Sequence, residues 1–112
     1  MGKSKKKIIV FGGSGFLGSH VSDALTHDGH QVIIVDSQKS MWVNKNQTFH
    51  KGDINNPKSY EFLLKNVDAI FNFAALSDIK KSNENPLETV KINISGVVNL
   101  LNICIKKKIK KF

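Results

Sequence analysis

The apolar positions of this chain fall into short runs, and the spacing within the runs alternates between two periods. Lys7–Phe11, Gln31–Val35 (closing on Asp36) and Ala69–Phe73 carry near-continuous apolar stretches, the pattern of strands covered on both faces of a parallel sheet. A shorter segment, Thr48–Lys51, predicts one more strand. Between the first two, Phe16, Leu17, Val21, Ala24 and Leu25 recur at helical spacing, which predicts a helix over Gly15–His27. Asp28-Gly29-His30 ends it, with Gly29 suited to a helix C-terminus. Pro57 fits the first turn of a helix over Lys58–Lys65, and Pro86 opens a long helix reaching Lys107. The stretch from Ala74 to Asn85 reads as a loop. Strand–helix alternation at this spacing argues for an α/β chain with right-handed crossovers.

At 112 residues the chain holds one domain at most. The net charge of +8 invites a nucleic-acid reading, but its location removes most of that invitation. Four lysines lie in residues 1–7 and five in 106–111, and the intervening body has eight lysines against nine acidic residues. There is no arginine, the commonest reader of guanine, so no nucleic-acid partner is expected. No apolar stretch approaches the ~18 residues of a membrane span, and no signal-peptide core follows the first lysines. Gly2 fits a myristoylation start, but Lys6 stands where Ser or Thr is expected. The single Cys104 excludes an internal disulfide and suits a reducing, cytoplasmic setting. His20, His27, His30 and His50 have no metal-ligand spacing.

The candidate chemistry lies at the end of the first strand. Gly12-Gly13-Ser14-Gly15-Phe16-Leu17-Gly18 joins a strand to a helix N-terminus with glycines at 12, 15 and 18. Such a junction aims unpaired backbone N–H groups at one spot and suits a phosphate. The spacing is Gly-x-x-Gly-x-x-Gly rather than the commoner Gly-x-Gly-x-x-Gly, and glycines also cluster in ordinary turns, so the context decides. That context includes an acid at the end of the next strand, and Asp36 stands there, 18 residues after Gly18. A carboxylate at this point accepts both ribose hydroxyls of an adenosine and repels a 2′-phosphate, which selects NAD over NADP. No arginine is nearby to reverse that selection; Lys39 could do so in part, and Asp36 could instead start a turn.

With these residues in view the chain resembles the extended short-chain dehydrogenase/reductase superfamily, in its NAD-dependent nucleotide-sugar epimerase/dehydratase branch. Gly12, Gly15, Phe16, Leu17 and Gly18 resemble the family's cofactor loop, and Asp36 its ribose-binding acid. Lys51-Gly52-Asp53-Ile54 is similar to the segment whose acid and following residue hold the adenine. Asp68-Ala69-Ile70-Phe71-Asn72-Phe73-Ala74-Ala75 resembles the strand that passes the cofactor's phosphates and nicotinamide ribose, through Phe73, Ala74 and Ala75. Val90–Gly96 resembles the helix segment whose Asn, here Asn93, lies near the nicotinamide, although Val97 replaces the family's usual Thr.

The resemblance implies a Rossmann-type doubly wound parallel sheet in the order 3-2-1-4, with residues 1–112 forming an incomplete NAD-binding segment that stops where the fifth strand begins. It also implies NAD as cofactor, a nucleotide-sugar substrate for the full-length enzyme, and homodimerisation as an open option for that enzyme. The family's chemistry needs a Tyr-x-x-x-Lys pair on a later helix. The one tyrosine, Tyr60, has Lys65 five residues on, in the wrong helix, and reads as a solvated or boundary face. No catalytic residue is therefore assigned, and this segment alone is expected to be inactive. In the order 3-2-1-4 the fourth strand becomes an open edge, and Ile94, Val97, Val98, Leu101 and Ile105 of the long helix lack part of their cover. A non-catalytic dinucleotide-binding sensor or scaffold is the alternative reading.

Overall fold

The computed structural model describes residues 4–75 and 79–112. The first residues of the lysine-rich start, with the Gly2 motif, and positions 76–78 of the expected loop lie outside the described residues. Four strands, β1 (Lys7–Phe11), β2 (Gln31–Asp36), β3 (Gln47–Lys51) and β4 (Ala69–Asn72), pair in parallel in the order β3-β2-β1-β4. The order and hand-in-hand parallel registers, with Ile9 beside Ile33 and Ile70, are those of a Rossmann-type sheet.

Alternation along each strand splits the core in two. Ile9, Phe11, Ile33, Val35 and Ile70 face a layer built from Ile54, Tyr60, Leu63, Leu64, Val67, Leu100, Ile103 and Cys104. Ile8, Val10, Val32, Ile34 and Ala69 face the opposite layer, against Leu25, Val43, Phe49 and Phe73. Both faces of the sheet are thus covered, which explains why β1 and β2 read as apolar runs rather than alternating ones.

Helix α1 (Phe16–His27) begins one residue later than its periodicity suggests, and only part of its apolar set docks: Leu25 packs on the sheet and Val21 is half-buried. Gly18 and Ser22, one turn apart, are its buried residues, whereas Phe16 and Leu17 are 78% and 62% exposed. Proximity is the reason: a Cβ on Gly18 would lie 2.2 Å from the Gly12 carbonyl oxygen, so only small residues let the helix reach the loop. The Ser22 hydroxyl donates to the Gly18 carbonyl at 2.7 Å and is satisfied without solvent.

The segment expected as a helix over Lys58–Lys65 forms two 3₁₀ turns, Pro57–Ser59 and Glu61–Leu64. Tyr60 interrupts them with φ −141° and ψ −11°. It is fully buried rather than solvated, which corrects its reading as a surface residue. Its ring meets Phe11 edge-on at 4.8 Å, and that burial sets the backbone against continuing the helix.

Part of the expected 74–85 loop is helical, as α2 (Ile79–Glu84). The long helix exists as α3 (Pro86–Val90), a π-helical turn at Lys91–Ser95, and α4 (Gly96–Lys106). Val90, Lys91, Ser95 and Gly96 all keep right-handed helical angles, so the three pieces run continuously. Ile94, Val98, Leu101 and Ile105 of this helix are exposed, and Val97 is half-buried. The edge of β4 is less bare than expected. The Ile70 N–H donates to the Lys111 carbonyl at 3.0 Å, and Ala69 bridges Lys111 in parallel.

Candidate functional site

A cleft of about 210 Å³ opens at the carboxyl ends of the strands, where ligands of open α/β sheets bind. Its lining brings together Gly12, Gly15, Asp36, Asp53, Ile54, Phe73, Ala74 and Ala75, residues separated by more than sixty positions in the sequence. Phe11, Val35, Ser37, Gly52 and Ile92 complete it.

The glycines of the loop have distinct physical roles. Gly12 has φ +73°, and a Cβ there would meet the Phe73 carbonyl carbon at 2.5 Å, so the crossing of β1 past β4 demands glycine. Gly18 is required by helix packing, as described above. Gly15 differs from both. Its angles are ordinary (φ −78°, ψ 178°), and the nearest atom to a Cβ placed there is the Gly12 carbonyl oxygen at 3.4 Å. Nothing in the protein forbids a side chain at Gly15, yet it borders the cleft at the N-terminus of α1. A bare backbone at this point is what close approach of a pyrophosphate requires.

Asp36 ends β2 beside that loop. Its Oδ2 accepts the Ser14 N–H at 3.0 Å, and the Ser14 hydroxyl oxygen in turn accepts the Ser40 N–H at 3.1 Å. Asp36 is thus tied to the phosphate loop and the loop to the segment after β2. Across the cleft, Asp53 sits in a tight turn. Its Oδ1 accepts the Asn55 N–H at 2.9 Å, and the Ser59 hydroxyl oxygen accepts the Asp53 N–H at 3.0 Å. Ile54 is buried, and Gly96 passes so close that a Cβ there would lie 2.8 Å from the Ile54 Cγ2. On the third side, the Asn72 carboxamide oxygen accepts the Ala74 N–H at 3.0 Å and fixes the exit of β4.

Four expected site residues fall outside this lining. Leu17 is exposed on α1, Gly18 packs under the loop, and Phe16 borders a second cavity of about 530 Å³ with His20, Asp23 and Trp42. Asn93 lies in the π-helical turn, next to Ile92, which does line the cleft. Ser14, Ser59 and Tyr60 support the site and are not evident from sequence. Serines next to glycines or after a proline are common in turns, and only the fold shows which backbone groups they hold.

The sequence model of the NAD dependent epimerase/dehydratase family matches residues 8–112. The chain belongs to that family. NAD is this family's cofactor, and the cleft fits a dinucleotide: a bare loop at a helix N-terminus for phosphates and an acid at the end of β2 for a ribose. Within the NAD dependent epimerase/dehydratase family the chain is 32% identical to UDP-glucuronic acid decarboxylase 1 of Danio rerio, over 90% of this chain and 25% of that protein. It is 38% identical to the UDP-glucose 4-epimerase of Thermotoga maritima, whose structure with UDP-glucose superposes with a TM-score of 0.87 over 95% of this chain and 36% of that one. A UDP-glucose 4-epimerase of Stenotrophomonas maltophila, solved with bound NAD and formylated UDP-arabinopyranose, is 30% identical, with a TM-score of 0.85 over 94% of this chain and 35% of that one. The chain therefore spans about a quarter to a third of these relatives.

Among the described residues no group of three or more histidine, cysteine or acidic side chains is placed to hold a metal ion, and no helix is long and apolar enough to cross a membrane.

Proposed function

We propose that this chain is the NAD-holding portion of an enzyme acting on a nucleotide sugar. Asp36 accepts the adenosine ribose hydroxyls, and the backbone from Gly12 to Leu17 faces the pyrophosphate at the α1 N-terminus. Asp53 accepts the adenine amino group while Ile54 lies against the ring. Phe73, Ala74 and Ala75 pass the nicotinamide ribose, with Asn93 toward the nicotinamide end. The observation that carries this reading is Gly15: it lacks a side chain where neither backbone angle nor packing asks for that, on the wall of the cleft.

NAD supplies a reversible hydride acceptor for a sugar carbon. The residues of this chain bind and orient it, and they exclude the 2′-phosphate of NADP through the charge on Asp36. Tyr60 takes no part in the proton transfers of turnover, because it is fully buried and donates its hydroxyl to the Ile54 carbonyl at 3.0 Å. The same observation favours the second reading, a dinucleotide-binding module that performs no chemistry. A cytoplasmic setting fits the lone buried thiol of Cys104.

Calorimetric titration of NAD and NADP tests the proposal. Tighter NAD binding is expected, and tighter NADP binding would remove Asp36 from its role. Hydride exchange with a UDP-sugar by the whole enzyme separates the first reading from the second.

A further inference from the structure

Tyr60 stands behind the cleft rather than in it, yet it touches two of the residues that shape it. Its hydroxyl donates to the Ile54 carbonyl at 3.0 Å, and its ring meets Phe11 at 4.8 Å with an interplanar angle of 81°. Ser59, its neighbour, receives the Asp53 N–H at 3.0 Å, and its hydroxyl lies 2.6 Å from the Asn56 carbonyl, to which it donates. The two residues therefore hold both backbone ends of the Asp53–Ile54 unit. The helix backbone at Gly96 runs beside the Ile54 side chain, with no room between them for a Cβ.

We propose that Ser59 and Tyr60 are positioning residues that set base selectivity, holding Asp53 where it distinguishes a 6-amino from a 6-oxo purine. This rests on the reading that NAD lies in the cleft with its adenine at Asp53. A carboxylate accepts a hydrogen bond from an exocyclic amino group and is opposed by a carbonyl oxygen at the same place. Discrimination of this kind depends on the acceptor's position to within a few tenths of an ångström. Asp53 itself is exposed, and among the described residues its side chain is tied to the Asn55 N–H alone, so its placement comes from the turn beneath it. The tyrosine is suited to this task because its buried hydroxyl is an O–H donor with the Ile54 carbonyl as its acceptor.

The test compares NAD with nicotinamide hypoxanthine dinucleotide, its 6-oxo analogue, in wild type, Tyr60→Phe and Ser59→Ala. Wild type should prefer NAD. Tyr60→Phe should bind NAD about fivefold or more weakly and lose most of that preference, with nicotinamide mononucleotide binding unchanged. A merely structural lesion would weaken both dinucleotides equally and leave the preference intact, and that result overturns the proposal. A wild type indifferent to the base also overturns it, while leaving the cleft as an NAD site. A wild type that binds no NAD at all removes the cleft reading and the proposal together. Should Tyr60→Phe fail to fold, Ser59→Ala decides: a collapsed preference supports the proposal and an unchanged one overturns it.

Discussion

The backbone N–H of Ser14 donates to the Asp36 Oδ2 at 3.0 Å. One bond thus joins the glycine loop after β1 to the acid that ends β2, and it leaves the two elements that would meet a dinucleotide moving as one. The acid therefore has two tasks: it fixes the loop's shape and it presents negative charge to the cleft. The tasks separate in variants. Asp36→Asn keeps an acceptor for Ser14 and loses the charge, whereas Asp36→Ala loses both. Asp36→Ala should weaken NAD binding by roughly 10- to 100-fold, the worth of hydrogen bonds to a charged group, and erode the preference over NADP. Asp36→Asn should erode the preference while retaining more of the affinity. Titration of both cofactors against the three proteins checks this.

The glycines predict a division between folding and binding. Gly18→Ala forces a Cβ to within 2.2 Å of the Gly12 carbonyl oxygen and should cost about 1–3 kcal/mol of stability through overpacking. Gly15→Ala meets its nearest neighbour at 3.4 Å and should cost less than Gly18→Ala, about 0.5–1 kcal/mol from placing alanine at the N-cap of α1, yet lower NAD affinity by obstructing the phosphate approach. Thermal unfolding and NAD titration of the two variants read the two effects apart.

These cases show what the chain discloses about itself. β1, β2 and β4 are legible because strands covered on both faces must be apolar at nearly every position, and the place of Asp36 on the cleft wall is legible because it ends a strand beside the glycine loop. The docking face of α1 is legible only in part: Leu25 packs on the sheet as its spacing expects. Phe16 and Leu17 look like core, but a close crossing at Gly12 selects Gly18 and Ser22 instead. The break at Tyr60 is hidden for a related reason: Ser59 and Tyr60 give their hydrogen bonds to the Asp53–Ile54 turn, a tertiary demand that local propensity does not encode. The π-helical turn at Lys91–Ser95 likewise has no marker in composition.

Alkaline pH should expose Tyr60 directly. Its pKa is about 12 in the fold against an ordinary value of 10.0, with burial the main cause and the charges of Cys104, Asp53 and Glu61 adding to it. The folded state holds the phenolic proton more tightly than the unfolded chain, so stability from this group is complete below pH about 10 and falls as pH rises toward 12. Burial raises the Cys104 thiol pKa as well, which adds loss of the same sign. Denaturant unfolding across this range should show a shallower decline in Tyr60→Phe than in wild type. Parallel curves would contradict the assignment of the alkaline limb to Tyr60.

The connection between β3 and α1 offers a test of the fold away from the cleft. The Gln47 Nε2 donates to the Asp23 Oδ1 at 2.9 Å and to the Thr26 Oγ1 at 3.0 Å. Gln47 is a buried polar residue of the structure, and Gln47→Ala should cost about 1–3 kcal/mol without altering the choice between NAD and NADP. Unfolding and cofactor titration of this variant check both halves.

A structure of the protein with NAD bound reads the cofactor's orientation in the cleft outright. Both adenosine ribose hydroxyls are expected on the Asp36 carboxylate, the adenine amino group on Asp53, and the pyrophosphate against the backbone at Gly15. A cofactor lying in the reverse direction, or seated in the cavity between Phe16, His20 and Trp42, would contradict it.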